Sequence, residues 1–512
     1  MRNSINRWFF WLAVALTFLP MNLSAQAPVI RTVNGLLSGY KIGDISVFKG
    51  IPFATPPVGD LRWKAPQPVK NWTGVLKCDT FSASPMQSKP VPFMMWTEEF
   101  ITPPDRLSED CLYLNVWTPA KSSNEKLPVL VWIYGGGFSS GSAACAVYDG
   151  EEMAKKGVVF VSINYRVGVL GFLAHPELRS ESEHNVSGNY GLLDQVAALL
   201  WINKNIEAFG GDPQKVTIDG QSAGSMSVCA LVSSPLAKGL FRGAIAQSGG
   251  ILTNFMKRSY PETEKTGTAF MEKMKAENIA DLRKKTAIEL IAAGGSFTPV
   301  PDGYVIPKDV FNAFKEDRFN DVNMMAGWVT EDGSISGEQK LTPEIYKLQV
   351  TTKYSDMAEK YMKLFPGKTT GQVTASFKKI NLMEFAVLPA YLWAGFSKSK
   401  AYIYRFSHVP ADKPGFPNYG AFHTSEVPFA LHTLHLWKRP WREVDLRVEE
   451  TMNNYWVNFV KTGNPNGEGL PQWKAYEKSS GRVMEIGDRI HLTHGIYKKE
   501  LNFLGGIIMN KK

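Results

Sequence analysis

The run Asp219-Gly220-Gln221-Ser222-Ala223-Gly224 constrains this chain more than any other stretch. It follows Val216-Thr217-Ile218, a β-branched segment that reads as a buried strand, and it precedes Ser225–Leu231, which can carry a helix. A serine between two glycines at such a junction implies a very tight strand-to-helix turn. Its hydroxyl would be lifted above the sheet on a strained backbone, and Gly220 and Gly224 would be required because any side chain there would strike a neighbouring element. The start of the following helix also directs backbone N–H groups towards the serine. A structural βα turn carries the same residues, so the motif needs a companion.

The companion lies upstream. Leu127–Tyr134 reads as a central strand that runs straight into Gly135-Gly136-Gly137-Phe138. Three glycines at the end of a buried strand are costly in backbone entropy, so bare backbone must be needed there. One chemistry needs both features. A serine attacks an acyl carbonyl, and glycine-loop N–H groups join that of the residue after the serine, Ala223, to hold the oxyanion.

Together these segments resemble the type-B carboxylesterases, a family of α/β hydrolases that includes bacterial esterases, mammalian carboxylesterases and cholinesterases. The resemblance runs from Phe48–Ala54 and Pro56–Trp63 through Ser108–Val116, Asn164–Gly168, Gly188–Gln195 and Phe209–Pro213 to Trp456–Phe459 and Thr462–Asn466. It implies an α/β fold with a large, mostly parallel sheet, helices on both faces and antiparallel strands near the N-terminal edge. Segments 254–320 and 335–400 are expected to supply helices over the mouth of a deep pocket. The implied activity is hydrolysis of a small-molecule carboxylic ester, with no metal or organic cofactor. Two other readings stay open: a catalytically silent binding or adhesion protein on the same fold, and a hydrolase of amides, thioesters or lactones.

For this fold the catalytic order is Ser, acid, His. Of eight histidines only His423 sits in a recognisable context, Gly420-Ala421-Phe422-His423-Thr424-Ser425-Glu426-Val427-Pro428, similar to the family's histidine loop. The acid loop is Gly327-Trp328-Val329-Thr330-Glu331-Asp332-Gly333. Counting back from Gly333 puts Asp332 in the acid position, where relatives carry Glu, with Glu331 one place earlier. The expected set is therefore Ser222, Asp332 and His423, with Gly136, Gly137 and Ala223 as the oxyanion hole. Gln221 replaces the Glu that relatives carry beside the serine, and Tyr134 replaces a His before the glycine loop. Ser248 matches a position that helps hold the acid, and Arg62–Glu109 and Arg166–Asp194 match internal ion pairs. The pairs His432/His435 and His491/His494 lack carboxylates at metal-ligand spacing and are read as non-ligands.

With 512 residues, 44% hydrophobic, the chain can bury a large core, and no linker, repeat or low-complexity block divides it. One hydrolase domain is expected over 26–512. Residues 1–25 read as a secretion signal: Arg2 and Arg7 precede an apolar run, Trp8–Leu19, that is too short to span a bilayer. Cleavage is expected after Ala25, with Ala27 as the alternative, and the product would be exported without stable membrane insertion. The net charge of +9 is scattered, without the basic stripe of a nucleic-acid binder. By resemblance, Cys78 and Cys111 form a disulfide that closes a loop beside the pocket. Cys145 is read as a free thiol and Cys229 as a buried filler. The oligomeric state is left open.

Overall fold

The computed structural model describes residues 27–253, 258–334 and 341–509; the expected signal segment lies outside them. The frame is an eleven-stranded sheet. In chain order its strands are β1 (Tyr40–Ile42), β2 (Ile45–Pro52), β3 (Tyr113–Thr118), β4 (Leu127–Ile133), β5 (Val159–Ile163), β6 (Gly211–Gln221), β7 (Gly243–Gln247), β8 (Asn323–Val329), β9 (Ala401–Phe406), β10 (Arg482–Ile486) and β11 (Ile490–His494). Their order across the sheet is β11-β10-β9-β8-β7-β6-β4-β5-β3-β2-β1.

From β5 to β10 every neighbouring pair is parallel. Such strands are covered on both faces, so they read as continuous apolar runs. Val159–Ile163 is buried at every position, and so are Val129–Ile133 of β4. The antiparallel N-terminal edge is present as β3, β2 and β1. The far edge also ends antiparallel, where β11 folds back on β10.

The longer helices include α1 (Tyr190–Asn205), α2 (Ala223–Ser233), α3 (Leu388–Phe396), α4 (Glu443–Thr462) and α5 (Lys498–Met509). Every residue of α2 is buried, as befits a helix wedged behind the sheet's central strands. Segments 254–320 and 335–400 are largely helical where described, including Tyr260–Lys273, Pro343–Tyr354 and Thr370–Leu382. Both expected ion pairs are formed. Arg62 grips Glu109 at 2.5 and 2.7 Å, and Arg166 grips Asp194 at 2.8 and 2.9 Å in the interior. Removing one partner of the inner pair would strand a buried charge. Among the described residues no helix is long and apolar enough to cross a membrane.

The expected Cys78–Cys111 disulfide is not formed; all four cysteines are buried and unpaired. Register explains why. The Lys49 N–H donates to the Cys78 carbonyl, whereas the Phe53 N–H donates to the carbonyl of Leu112, the residue after Cys111. The two cysteines are thus held beside different points of the chain, Cys78 at Lys49 and Cys111 next to the Leu112 carbonyl at Phe53, with the β-bulge between Phe48 and Ile51 lying on this stretch. A disulfide needs Cα atoms within about 7 Å. Burial instead pushes the Cys78 thiol up to about 12, aided by Asp79.

Candidate active site

Ser222 joins β6 to α2 with φ 59° and ψ −121°, a conformation that L residues rarely adopt. Such strain costs on the order of 1–3 kcal/mol and persists only where its surroundings enforce it. Here the glycines do so. A Cβ on Gly224 would collide with the Ile133 carbonyl, and one on Gly220 would press on the Gly224 backbone. The Ser222 N–H is anchored to the Gln247 carbonyl at 2.9 Å, which ties the turn to β7.

Asp332 and His423 arrive from neighbouring strands. Asp332 follows β8 and His423 lies in the loop after β9, and their side chains meet with Nδ1 2.6 Å from Oδ1. Asp332 is fully buried, and its second oxygen accepts the Val329 N–H at 3.0 Å. Glu331 turns elsewhere, accepting from the Ser334 hydroxyl at 3.3 Å and packing beside Gly420. Of the two adjacent carboxylates, Asp332 alone touches the imidazole. Being a methylene shorter than Glu, it reaches because its loop turns inward directly after β8.

Ser222, His423, Gly136 and Gly137 all line one cavity of about 510 Å³. Gly136 and Gly137 have φ of 112° and 62°, and the Gly136 carbonyl accepts from Ser139 and Ser140, which holds the loop in shape. Ala223 opens α2, so its N–H belongs to the unsatisfied first turn of a helix.

The cavity wall departs from expectation. Much of its lining comes from the 87–102 segment, where Val91, Phe93, Trp96, Phe100 and Ile101 supply apolar surface, and the rest from the glycine loop, Cys145, Tyr148 and the Ser222 and His423 turns. Among the described residues, the 254–320 and 335–400 segments contribute no lining residue. Phe385, from the second of these segments, does pack on the His423 ring at 5.5 Å between centroids. Trp96 meets the same ring edge-on at 6.3 Å and donates its indole N–H to Thr424 Oγ1 at 3.0 Å. Thr424 is itself held at φ 87°. The Gln221 amide nitrogen lies 3.2 and 3.3 Å from the two ring nitrogens of His423. These neighbours restrict the ring on several sides.

Ser248 does not hold the acid directly. Its hydroxyl donates to Glu426 Oε1 at 2.8 Å. Glu426 is completely buried, and burial first, then the Asp332 carboxylate, push its carboxyl up to about 8. Asp219, buried behind the turn, is likewise pushed up to about 8 by burial. Two like charges this close are mutually destabilising, so a protonated Glu426 leaves the negative charge on Asp332. Sequence reasoning passed over Glu426, although it stands three residues after His423 in the quoted loop.

A stability prediction follows from the direction of these shifts. A carboxyl with a raised folded-state value binds its proton more tightly in the native state. Its contribution is present at low pH and is lost as pH rises from the usual carboxylate range through about 8. Glu426→Gln keeps an acceptor for Ser248 but cannot ionise. Relative to the parent, its Tm should gain on the order of several degrees between about pH 6 and about pH 9. Thermal unfolding at both values checks this, and an unchanged difference would contradict it.

Among the described residues no group of three or more His, Cys, Asp or Glu could hold a metal ion. His432 pairs instead with Glu450 at 2.8 Å.

Comparison with known proteins decides the family. A model described as the carboxylesterase family matches residues 26–504. The chain belongs to the carboxylesterase family. It is 33% identical to fumonisin B1 esterase of Sphingopyxis macrogoltabida, over 96% of this chain and 92% of that protein. It is also 33% identical to para-nitrobenzyl esterase of Bacillus subtilis (strain 168), over 90% of this chain and 95% of that protein. A solved structure of PNB esterase covers 93% of this chain and 99% of its own, with a TM-score of 0.81 at 30% identity. The carboxylesterase has the α/β-hydrolase fold and is a carboxylic ester hydrolase.

Proposed function

We propose that this carboxylesterase cleaves small-molecule esters through an acyl-enzyme formed on Ser222. The observation that carries the reading is the 2.6 Å contact between His423 and the buried Asp332, in a loop that lines the same cavity as the strained Ser222. Asp332 fixes the imidazole with its proton on Nδ1, leaving Nε2 unprotonated to take the Ser222 proton as the oxygen attacks the ester carbonyl. The oxyanion is held by the N–H groups of Gly136, Gly137 and Ala223. The alcohol leaves with the proton returned by His423. Water, activated by the same base, then releases the acid.

The wall formed by Val91, Phe93, Trp96, Phe100 and Ile101 favours substrates with an apolar acyl or alcohol group. The mature enzyme is read as one hydrolase domain over 26–512, exported after cleavage behind Ala25.

A panel of p-nitrophenyl esters from acetate to decanoate, run beside the matching anilides and thioesters, tests the bond class. Esters should turn over at least about 100-fold faster than anilides, because the alcohol is the better leaving group and the site offers the same oxyanion contacts to both. Absence of ester turnover, or faster anilide cleavage, would overturn the reading.

A further inference from the structure

A second cavity, of about 470 Å³, lies between α3, α5 and the turns that precede α5. It shares no lining residue with the cavity of Ser222. Its floor is apolar, with Leu392, Phe396, Ile496, Leu501 and Met509 on the wall.

The glycines of this region show that the space is left open by choice of residue. Gly505 and Gly506 sit inside α5, where glycine costs on the order of 0.5–1 kcal/mol relative to alanine. A helix usually carries such residues for a left-handed backbone or for close packing. Neither reason applies. Both have ordinary helical φ. A Cβ on Gly506, or on Gly395 of the facing α3, would meet no atom within 4 Å, and one on Gly505 would meet only Leu388 Cδ1 at 3.9 Å.

The rim is cationic. Lys478, Lys498 and His494 line it, and among the described residues no Asp or Glu does. The acidic residues nearest in the chain are engaged elsewhere, Glu477 with Arg482 and Glu500 with Lys379. Among the described residues neither Lys478 nor Lys498 has a carboxylate partner. An apolar chamber of this size under an unneutralised positive rim is complementary to one chemistry, an anionic head on an apolar tail.

We propose that this cavity is a binding site for medium- and long-chain monocarboxylates. The tail lies between α3 and α5 against Leu392, Phe396 and Leu501, and the carboxylate is held at the rim by Lys478 and Lys498. The site is independent of the Ser222 chemistry.

The test uses the full chain carrying Ser222→Ala, titrated calorimetrically with decanoate and with decyltrimethylammonium. Decanoate should bind at least about tenfold more tightly than the cation of equal tail length. Lys478→Glu combined with Lys498→Glu should weaken decanoate by about tenfold or more. Gly506→Leu, which fills the chamber, should abolish saturable binding while Tm stays level or rises, since glycine is the poorer helix former. The lysine variants are exposed positions and report even if the leucine variant fails to fold. Equal affinity for the two tails would overturn the proposal. So would an absence of saturable decanoate binding, or binding that survives in the lysine double variant, which would place the ligand in the Ser222 cavity or on the other flank of α5.

Discussion

Replacing Ser222 with alanine is expected to lower kcat for a p-nitrophenyl ester on the order of 10⁵–10⁶-fold, with much less effect on KM. The variant keeps the cavity, the glycine loop and the His423–Asp332 pair, so it retains binding and oxyanion contacts but has no atom to form the acyl bond. The residual rate should be that of water attacking a polarised carbonyl. Alanine at this position keeps the same φ of 59° with a side chain of similar size, and the Ser222 N–H bond to Gln247 does not involve the hydroxyl. Tm should therefore stay within a few degrees of the parent, separating lost chemistry from lost fold. A variant that retained a tenth of parental turnover would show that another residue attacks the ester.

The second large effect concerns the acid. Asp332→Asn should cut turnover on the order of 10²–10⁴-fold, and Glu331→Gln less than about tenfold. In the Asp332→Asn variant the new amide oxygen can still accept the Val329 N–H that Asp332 now takes at 3.0 Å. That choice turns the amide nitrogen towards His423 Nδ1, which must then act as an acceptor. The ring proton moves to Nε2, and the nitrogen that should take the serine proton is blocked. Glu331 faces Ser334 and Gly420, so its neutralisation leaves the imidazole untouched. If Glu331→Gln proved the crippled variant, the loop in solution would be shifted by one residue. Measuring kcat and Tm for both variants separates these outcomes.

The features legible in the sequence are those enforced locally. The turn at Ser222 could be read because Gly220 and Gly224 are dictated by backbone a few ångströms away. The parallel centre could be read because strands covered on both faces must be apolar throughout, as Val129–Ile133 and Val159–Ile163 are. The carboxylate that meets His423 was legible only as a count back from Gly333, since Glu331 and Asp332 are chemically equivalent until their side-chain directions are known.

The rest depends on neighbours far away in the chain. Trp96 and His423 meet across a separation that no periodicity reports, because the 87–102 segment is mostly loop with only a single short helical turn. The expected disulfide failed for a related reason: whether Cys78 and Cys111 meet depends on which residues of β2 each flanking strand addresses. The raised Glu426 carboxyl arises from burial beside Asp332, a residue 94 positions earlier that reaches it from the adjacent strand's end.

The central claim is that Ser222 is the residue acylated during turnover. Treating the folded enzyme with a fluorophosphonate and mapping the adduct by peptide mass spectrometry tests it most directly. One adduct per chain is predicted, on the peptide containing Gly220–Gly224, with loss of esterase activity in proportion to labelling and no labelling of His423→Ala at the same dose. An adduct on a different serine, or full activity in a chain labelled at Ser222, would contradict it.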